Sequence, residues 1–399
     1  MKIAILGGGI SGLSAAWFLR KKYPDAKMIL FEKEKRLGGL IGSYKEGDFF
    51  FEKGPRIFPV ARSPHLIQLI CEVGLKEEMI FAPPHATKRY LWTNGAFRPL
   101  SSFALRILFS LVKEPFQPKG ESEDESIASF GRRRFGRFLT ETLIDPMALG
   151  IYGGDIEKLS IRSCFPSLFS LEKKKGRLFP HLLFQKKGER QFFTLRRGMH
   201  SLIERLGQRS NIELHVGEEV ESIEKTGVVA NGSFYEIDQI FSALPLQTIG
   251  KLTGLWVDAE AQDLVVAHLA YRGVKLPKEG IGYLIPSKEK EKLLGMIWES
   301  SLFPEQGPAD VVRITGILRE GGVEVLRDAM ARHLSVREEP IFATSSLVKG
   351  AIPRFFVGYH KRLLQFEQDV RKKFPNVELL GNYRSNPSVE GCIYPTLKC

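Results

Sequence analysis

The hydrophobic positions at the start of the chain change from an uninterrupted run to a helical pattern. Residues 2–6 are apolar over the length of a buried strand, and an alanine-rich segment of helical periodicity follows the next turn. That turn carries Gly7, Gly9 and Gly12. In a strand–turn–helix unit this spacing lets the backbone approach a pyrophosphate, which the amides of the helix N-terminus then face. The pattern predicts a dinucleotide site that includes Ser11.

A second apolar strand supports this interpretation. The strand at 28–31 ends at Glu32, about 20 residues after the glycine turn, where an acidic residue binds the ribose of a dinucleotide. Arg36 and the pair Gly38-Gly39 follow directly, and NAD binding does not require a second glycine pair. This segment resembles the R-x-G-G segment with which FAD-dependent amine oxidases and desaturases surround the flavin phosphates. The alternative is a solvated loop.

A run of aromatic residues predicts a buried strand next to the cofactor. Phe49–Phe51 suit such a strand, and Gly54-Pro55 impose a fixed turn after it. The turn allows the backbone to come close to a flat ring while Arg56 points into the pocket. In the alternative reading Arg56 is an ordinary surface charge at a turn.

The rest of the pattern predicts two sheets and several helices. The predicted elements are a helix at 64–73, a hairpin at 88–99 turning at Asn94-Gly95, a helix with Phe103, Ile107, Leu108, Leu111 and Val112 on one face, strands at 212–216, 220–224 and 239–245, a hairpin turning at Asn231-Gly232, strands at 264–271, 281–285, 294–298 and 311–318, helices at 322–334 and 362–374, and a strand from 375 to 382. We interpret 212–236 as a three-stranded insertion that rejoins the dinucleotide sheet. The strands between 264 and 318 predict a second, largely antiparallel sheet.

The charge and composition of the chain limit the classes of partner that it is expected to bind. The 399-residue chain has a net charge of +12, which suits nucleic acid, an anionic membrane surface or an acidic small molecule. Basic and aromatic residues alternate at 173–187 and can lie on an anionic bilayer; the alternative is the solvated face of a helical subdomain. No apolar run approaches the ~18 residues of a spanning helix. We expect peripheral membrane contact and no nucleic-acid partner.

The cysteines and the N-terminus predict the compartment. Four scattered cysteines without paired CxxC motifs signal neither a zinc site nor a disulfide framework, so a reducing compartment is the simplest interpretation. The first strand begins at residue 2, and we therefore expect no signal or transit peptide. The protein is predicted to be cytoplasmic and peripheral on the inner face of the membrane.

The reactive residue types form no recognisable catalytic set. The sequence has no second GxGxxG, no Gly-x-Ser-x-Gly elbow, no P-loop and no histidines at metal-ligand spacing. We therefore predict no metal and name no catalytic residue. Electrons are expected to come from the organic substrate, with the flavin as hydride acceptor.

Several motifs together resemble the protoporphyrinogen oxidase family of FAD-dependent enzymes, nearly from end to end. The residues that carry the resemblance are Gly7–Leu13, Arg36–Gly39, Glu52–Arg56, Lys88–Tyr90, Gly280–Pro286, Gly381-Asn382, Gly391–Ile393 and, most specifically, Gly150–Asp155 with Leu159–Phe169. The chain departs from the family pattern at Leu40, at Lys53 and across 383–390. The resemblance implies six-electron oxidation of protoporphyrinogen IX to protoporphyrin IX, or of coproporphyrinogen III to coproporphyrin III. An amine oxidase or desaturase, and an inactive FAD-holding scaffold, are the remaining alternatives.

The resemblance also implies an α/β architecture of three parts. An FAD domain is expected at 1–83, 204–250 and 360–399, a mixed-sheet substrate domain at 84–100, 190–203 and 251–359, and a helical membrane-binding domain at 101–189. Arg89 would pair with a substrate propionate, although the sequence alone is equally consistent with an ordinary strand-end charge. Ile281, Gly282, Leu284 and Ile317 would enclose the macrocycle. The residues expected to contact FAD are Gly7, Gly9, Ser11, Gly12, Glu32, Arg36, Gly38, Gly39, Gly54, Pro55, Arg56, Val220, Gly381, Asn382 and Val389. Oxygen or another acceptor would reoxidise the flavin. The resemblance also allows a homodimer.

Overall fold

The computed structural model describes residues 1–47, 49–179, 181, 191–384 and 386–399. Its strands are β1 (Lys2–Leu6), β2 (Lys27–Glu32), β3 (Ser43–Glu46), β4 (Phe49–Glu52), β5 (Phe58–Pro59), β6 (Met79–Phe81), β7 (Arg89–Thr93), β8 (Ala96–Pro99), β9 (Phe192–Leu195), β10 (Glu213–Val216), β11 (Val220–Glu224), β12 (Gly227–Ala230), β13 (Ser233–Glu236), β14 (Gln239–Ser242), β15 (Ala261–Arg272), β16 (Gly282–Leu284), β17 (Leu293–Trp298), β18 (Val311–Leu318), β19 (Phe342–Pro353) and β20 (Val377–Leu379). Its helices are α1 (Ile10–Lys22), α2 (Pro64–Glu72), α3 (Ala104–Lys113), α4 (Ile127–Leu139), α5 (Asp145–Tyr152), α6 (Ile161–Cys164), α7 (Pro166–Lys175), α8 (His200–Arg209), α9 (Leu246–Thr253), α10 (Glu299–Leu302), α11 (Val323–Leu334), α12 (Tyr359–Lys373) and α13 (Val389–Ile393).

A parallel sheet of five strands, in the order β10-β2-β1-β14-β20, forms one half of the fold. Four of the five β1 residues are buried, because strands of a parallel sheet are covered on both faces. Pieces from the start, middle and end of the chain build this sheet. The predicted α/β fold with a discontinuous dinucleotide-binding part is confirmed.

One strand of this sheet corrects the sequence interpretation. The strand predicted at 212–216 exists as β10, but it does not belong to the insertion. It pairs in parallel with β2, from Glu213 opposite Ile29 to Val216 opposite Glu32. It follows α8, and a helix is the usual connection into a parallel strand. The insertion is the antiparallel sheet β11-β12-β13, which turns at Asn231-Gly232 as predicted.

A seven-stranded mixed sheet, in the order β19-β15-β18-β17-β16-β7-β8, forms the other half. All of its neighbouring strands are antiparallel except β16 and β7, whose parallel pairing joins the hairpin β7–β8 to strands from much later in the chain. Helix α11 covers one face through Leu326, Ala329 and Met330. The opposite face carries His268 and Thr315, which are buried within the molecule. This face is the one that meets the region after β4.

The helices α3–α7 follow one another between β8 and β9 and form a helical layer, in which the apolar face of α3 is not packed inward. Every side chain of α3 is exposed or half-buried. Leu105 is 84% exposed and Phe109 60% exposed. Part of the basic and aromatic segment at 173–187 lies outside the described residues, which omit Pro180 and 182–190. Among the described residues no helix is long and apolar enough to cross a membrane.

Candidate functional site

The turn between β1 and α1 has the geometry that a dinucleotide phosphate site requires. Gly7 has a φ of 98°, and a side chain at Gly12 would overlap the Gly7 carbonyl oxygen, so α1 can start against the end of β1 only with glycine at both positions. A Cβ at Gly9 would have Gly39 Cα as its nearest neighbour, at 4.0 Å. The protein itself therefore leaves room above Gly9, next to the N-terminus of α1 and its residue Ser11.

The second glycine pair lies directly against this turn. The Gly38 N–H donates to the Gly8 carbonyl at 2.8 Å, and Gly9 and Gly38 form an isolated parallel bridge. Arg36 holds the loop in shape, because its guanidinium donates to the carbonyls of Gly39 (2.8 Å) and Ile41 (3.0 Å). The structure thus brings the two predicted glycine motifs together on one side of the helix start.

Glu32 lies at the end of β2, next to the same turn. Its carboxylate accepts a hydrogen bond from the Gly8 N–H at 2.7 Å and another from the Glu34 N–H at 2.9 Å. These bonds fix the direction of the carboxylate, and each oxygen has a second lone pair with which it can accept a ribose hydroxyl. The side chain is half-buried, so it is within reach of a ligand.

Residues from later parts of the chain complete this edge of the sheet. Gly381, with a φ of 136°, follows β20 and precedes Asn382. Val389 begins α13, which packs against α1, and Val220 begins β11. Ser242 ends β14, and its buried Oγ has no hydrogen-bond partner among the described residues. A polar atom of this kind at the carboxyl edge of a parallel sheet fits a bound dinucleotide.

The turn after β4 is packed tightly against the second glycine motif. A side chain at Gly54 would overlap the Leu40 carbonyl oxygen. Pro55 follows, and Arg56 donates through Nε to the Gly54 carbonyl at 3.2 Å. The Arg56 guanidinium is buried, which excludes the reading of this residue as an ordinary surface charge. Its Nη1 donates to Glu299 Oε1 at 2.9 Å, and both side chains are only 5% exposed.

Hydrogen bonds connect this ion pair to residues of the seven-stranded sheet. The Thr315 hydroxyl donates to Glu299 Oε1 at 2.7 Å, and His268 Nδ1 lies 2.9 Å from the Thr315 oxygen. Burial, and secondly the Arg56 charge, hold the pKa of His268 well below its ordinary value, so the imidazole is neutral at pH 7. Sequence reasoning missed Glu299, Thr315 and His268, because no motif marks them and tertiary packing brings them to Arg56.

A second buried carboxyl group lies close to this pair. Glu52 is 3% exposed and accepts hydrogen bonds from the Met199 N–H at 2.7 Å and the Ser43 hydroxyl at 3.0 Å. Burial raises the pKa of Glu52 from its ordinary 4.5 to about 7, although the two hydrogen bonds and the Arg56 charge act in the other direction. Glu52 therefore changes its charge in the physiological pH range.

The residues predicted to contact the substrate lie on strands of the mixed sheet. Exposed Arg89 begins β7, directly opposite Gly282 of β16, with its guanidinium carbon 5.4 Å from the centre of the Phe192 ring. Leu284 approaches α5, and Ile317 packs in an apolar cluster with Leu149, Leu264 and Leu294 of α5 and the sheet. Ile281 packs in a different cluster, with Phe192 and Leu302 among its members. The structure brings Arg89 and Gly282 together, whereas Ile281 and Ile317 pack in different clusters.

Known proteins resemble this chain over almost its whole length. Residues 10–394 match the family described as flavin containing amine oxidoreductase. The protoporphyrinogen oxidase of Bos taurus is 30% identical over 460 residues, covering 98% of this chain and 96% of the relative. The coproporphyrinogen III oxidase of Staphylococcus aureus is 24% identical over 454 residues, covering 98% and 96%. A crystal structure from Exiguobacterium sp. 255-15 has the same fold, with a TM-score of 0.85 at 21% identity, over 100% of this chain and 97% of the other.

Proposed function

Because the chain belongs to the flavin-containing amine oxidoreductase family, and is thus an FAD-dependent oxidoreductase, we propose that it oxidises protoporphyrinogen IX to protoporphyrin IX. The reaction removes six electrons and six protons from the macrocycle in three two-electron steps. The observation that carries the proposal is the 30% identity to a protoporphyrinogen oxidase over 98% of this chain. Bound FAD supplies the two-electron acceptor, which oxygen or another acceptor then restores.

The glycine motifs and Glu32 are proposed to hold the cofactor. The backbone at Gly9 and Gly39 leaves a phosphate-sized approach open beside the N-terminus of α1. The helix dipole and its free amides favour negative charge there. Glu32, fixed by the two backbone amides, is proposed to accept the ribose hydroxyls. The same residues are not selective for a particular electron donor, so the substrate must be recognised elsewhere.

Substrate recognition is proposed for the end of the mixed sheet that contains β7 and β16. A porphyrinogen is a large apolar ring with carboxylate arms, and such a ligand fits aliphatic walls with a cation at the rim. Arg89 is the rim cation in this proposal, because it is exposed at the start of β7 and lies opposite Gly282. Gly282 itself is required by its neighbour, because a Cβ there would overlap the Met296 carbonyl oxygen. Leu284 and Ile317 are proposed as the apolar wall toward α5.

An anaerobic mixing experiment tests the proposal. FAD-loaded protein is mixed with protoporphyrinogen IX without oxygen, and the absorbance of oxidised flavin near 450 nm is followed together with porphyrin fluorescence. We expect the flavin to bleach as porphyrin forms, and to recover when air or a quinone is admitted. Protein that carries FAD but is bleached by a primary amine and not by a porphyrinogen would instead indicate an amine oxidase. Protein bleached by neither would indicate an inactive scaffold.

Coproporphyrinogen III is the second candidate substrate, since a coproporphyrinogen III oxidase covers the chain equally well. Its two additional propionates would need further cations near Arg89. Arg98 lies in the same hairpin, opposite Leu91, and Lys88 precedes Arg89 with its ammonium 3.8 Å from Glu279. Initial rates with both porphyrinogens present in one reaction decide between them, because the ratio of porphyrin products gives the ratio of kcat/KM values directly.

The exposed face of α3 is proposed to bind the surface of an anionic membrane. The apolar residues of this face are Leu105, Leu108, Phe109 and Val112, and Phe116 follows just after the helix; each is more than 50% exposed. Basic side chains lie beside it: the Arg106 guanidinium stacks on Phe138, and the Lys113 ammonium lies over Phe109. An apolar stripe flanked by cations is typical of helices that lie in the interface of an anionic bilayer.

Flotation with vesicles tests the membrane proposal. Wild-type protein is expected to float with vesicles containing phosphatidylglycerol and to be released by high salt. Phe109→Glu should abolish flotation, because it places a charge in the apolar stripe. Phe234→Glu is the matched control: Phe234 is 55% exposed but lies in β13, in the sheet β11-β12-β13. Equal flotation of both variants would contradict the assignment of this face.

A further inference from the structure

Arg56 and Glu299 form a buried ion pair between distant parts of the chain. Arg56 follows the turn after β4, which packs against the predicted cofactor loop, whereas Glu299 begins α10 directly after β17 of the mixed sheet. Both side chains are 5% exposed. A buried pair of this kind is costly to desolvate, so it needs additional hydrogen bonds to persist. Glu299 receives one from the Thr315 hydroxyl at 2.7 Å.

The direction of each hydrogen bond follows from the charges. Glu299 Oε1 accepts from Arg56 and from the Thr315 hydroxyl, so the Thr315 hydrogen points to Glu299. The Thr315 oxygen then accepts from His268 Nδ1–H, which fixes the tautomer of that neutral imidazole. The whole chain of donors points toward the Glu299 carboxylate. These bonds hold Glu299 Oε1 toward the Arg56 guanidinium, which also donates through Nε to the Gly54 carbonyl.

Without the Glu299 carboxylate, the positive charges near the ion pair would not be balanced by negative ones. Arg313, 1% exposed, donates to the carbonyls of Phe303 (2.7 Å) and Phe50 (3.3 Å), and its charge also lies near Glu299. Glu52 is the other carboxyl group near Arg56, and burial leaves it only partly ionised at pH 7. Removal of the Glu299 charge would therefore leave two buried guanidinium groups with incomplete compensation.

We propose that Glu299 is a positioning residue that fixes the Arg56 guanidinium beside the cofactor and, by offsetting its charge, sets the reduction potential of bound FAD. This inference rests on the proposed function in one respect, the expectation that the flavin lies beside Arg56. A cation near a flavin stabilises the reduced form, which carries additional negative charge. A cation whose charge is offset by a nearby carboxylate stabilises the reduced flavin less. The role of Glu299 is thus to moderate Arg56 and to hold its direction.

The test is the midpoint potential of the FAD-loaded protein, measured by dye-coupled reductive titration. In Glu299→Gln, which keeps the shape but removes the charge, reduction of the flavin should become about tenfold more favourable, a rise of about 30 mV for a two-electron couple. Glu299→Asp keeps the charge but withdraws it by one methylene, and a rise of about threefold in the same equilibrium constant is expected, by the same reasoning. The visible absorption of the bound flavin is expected to shift in both variants.

A matched control separates positioning from mere stabilisation. Glu114 also forms a fully buried ion pair, with Arg134 in the helical layer. Glu114→Gln should lower the thermal stability, yet leave the potential and the spectrum of the flavin unchanged. If Glu299→Gln does not retain FAD, the Asp variant still decides the matter. A wild-type potential in FAD-containing Glu299→Asp and Glu299→Gln protein overturns the inference. If neither porphyrinogen is oxidised but the potentials shift as stated, the proposed substrate fails and this inference stands.

Discussion

The pH dependence of stability offers a sharp test of the buried site through Glu52. This carboxyl group is 3% exposed, and a Gln in its place would retain the shape of the protonated acid without its ability to ionise. The Met199 amide and the Ser43 hydroxyl both donate to it, and a Gln oxygen can still accept one of these bonds. Glu52→Gln therefore isolates the titration of a single group from the packing around it.

The sign and size of this pH dependence follow from the difference in the pKa of Glu52 between the folded and the unfolded protein. The unfolded chain releases the Glu52 proton near pH 4.5, whereas the folded protein holds it until about pH 7, because burial disfavours the carboxylate. The native state thus binds more protons between these values, and its stability falls as the pH rises through them. A shift of this size corresponds to about 3 kcal/mol, fully present below pH 4.5 and lost above pH 7.

Urea unfolding of both proteins at pH 5, 6, 7 and 8, in excess FAD, measures this effect. Other titrating groups, including His268 with its lowered pKa, act on both proteins and cancel in the difference. Relative to Glu52→Gln, the wild type should lose roughly 2 kcal/mol of stability between pH 5 and pH 8. A difference that stays constant over this range, or that changes in favour of the wild type, would refute the assignment of a proton to buried Glu52.

Three further substitutions test the cofactor turn, the mixed sheet and the rim. Gly9→Val should abolish FAD retention but leave the circular dichroism of the protein intact, because Gly39 Cα, at 4.0 Å, is the nearest atom to a Cβ there; fully yellow protein would contradict this. Gly282→Ala should lower the urea-unfolding free energy by more than about 2 kcal/mol, since its φ is 131° and its Cβ would overlap the Met296 carbonyl oxygen. Arg89→Ala should raise KM for the porphyrinogen about tenfold with little change in kcat, because a rim ion pair acts equally in ground and transition states. An unchanged KM would argue against this role.

The cofactor turn could be predicted because its signals are local. Strand β1 is a short apolar run, and Gly7 and Gly12 are required by contacts within the same dozen residues. Glu32 needs only the end of the next strand to reach this turn. A buried strand of a parallel sheet is a nearly uninterrupted run of apolar residues. For this reason β14 and β20 could also be predicted from the sequence.

Elements whose character depends on distant partners could not be predicted in the same way. Strand β19 consists largely of small and uncharged residues, so it carries little alternation, and its twelve residues were missed. Strand β10 was predicted, but its pairing with β2 was not. The pattern of residues 212–216 is equally consistent with a strand of the insertion. The amphipathic pattern of α3 predicted a helix correctly, but periodicity does not tell which protein surface or solvent the apolar face meets.

The two arginines predicted at the site differ in burial: Arg56 is buried and Arg89 is exposed. Arg56 was expected beside the flavin, and Arg89 was expected to pair with a substrate propionate. For Arg56 to do so, the incoming carboxylate would have to displace Glu299 from a pair that is 5% exposed, and breaking such a pair costs about 3–5 kcal/mol. Arg89 is exposed at the start of β7, so a carboxylate can approach it from solvent. We therefore expect a substrate propionate at exposed Arg89, and we expect Arg56 to remain paired with Glu299.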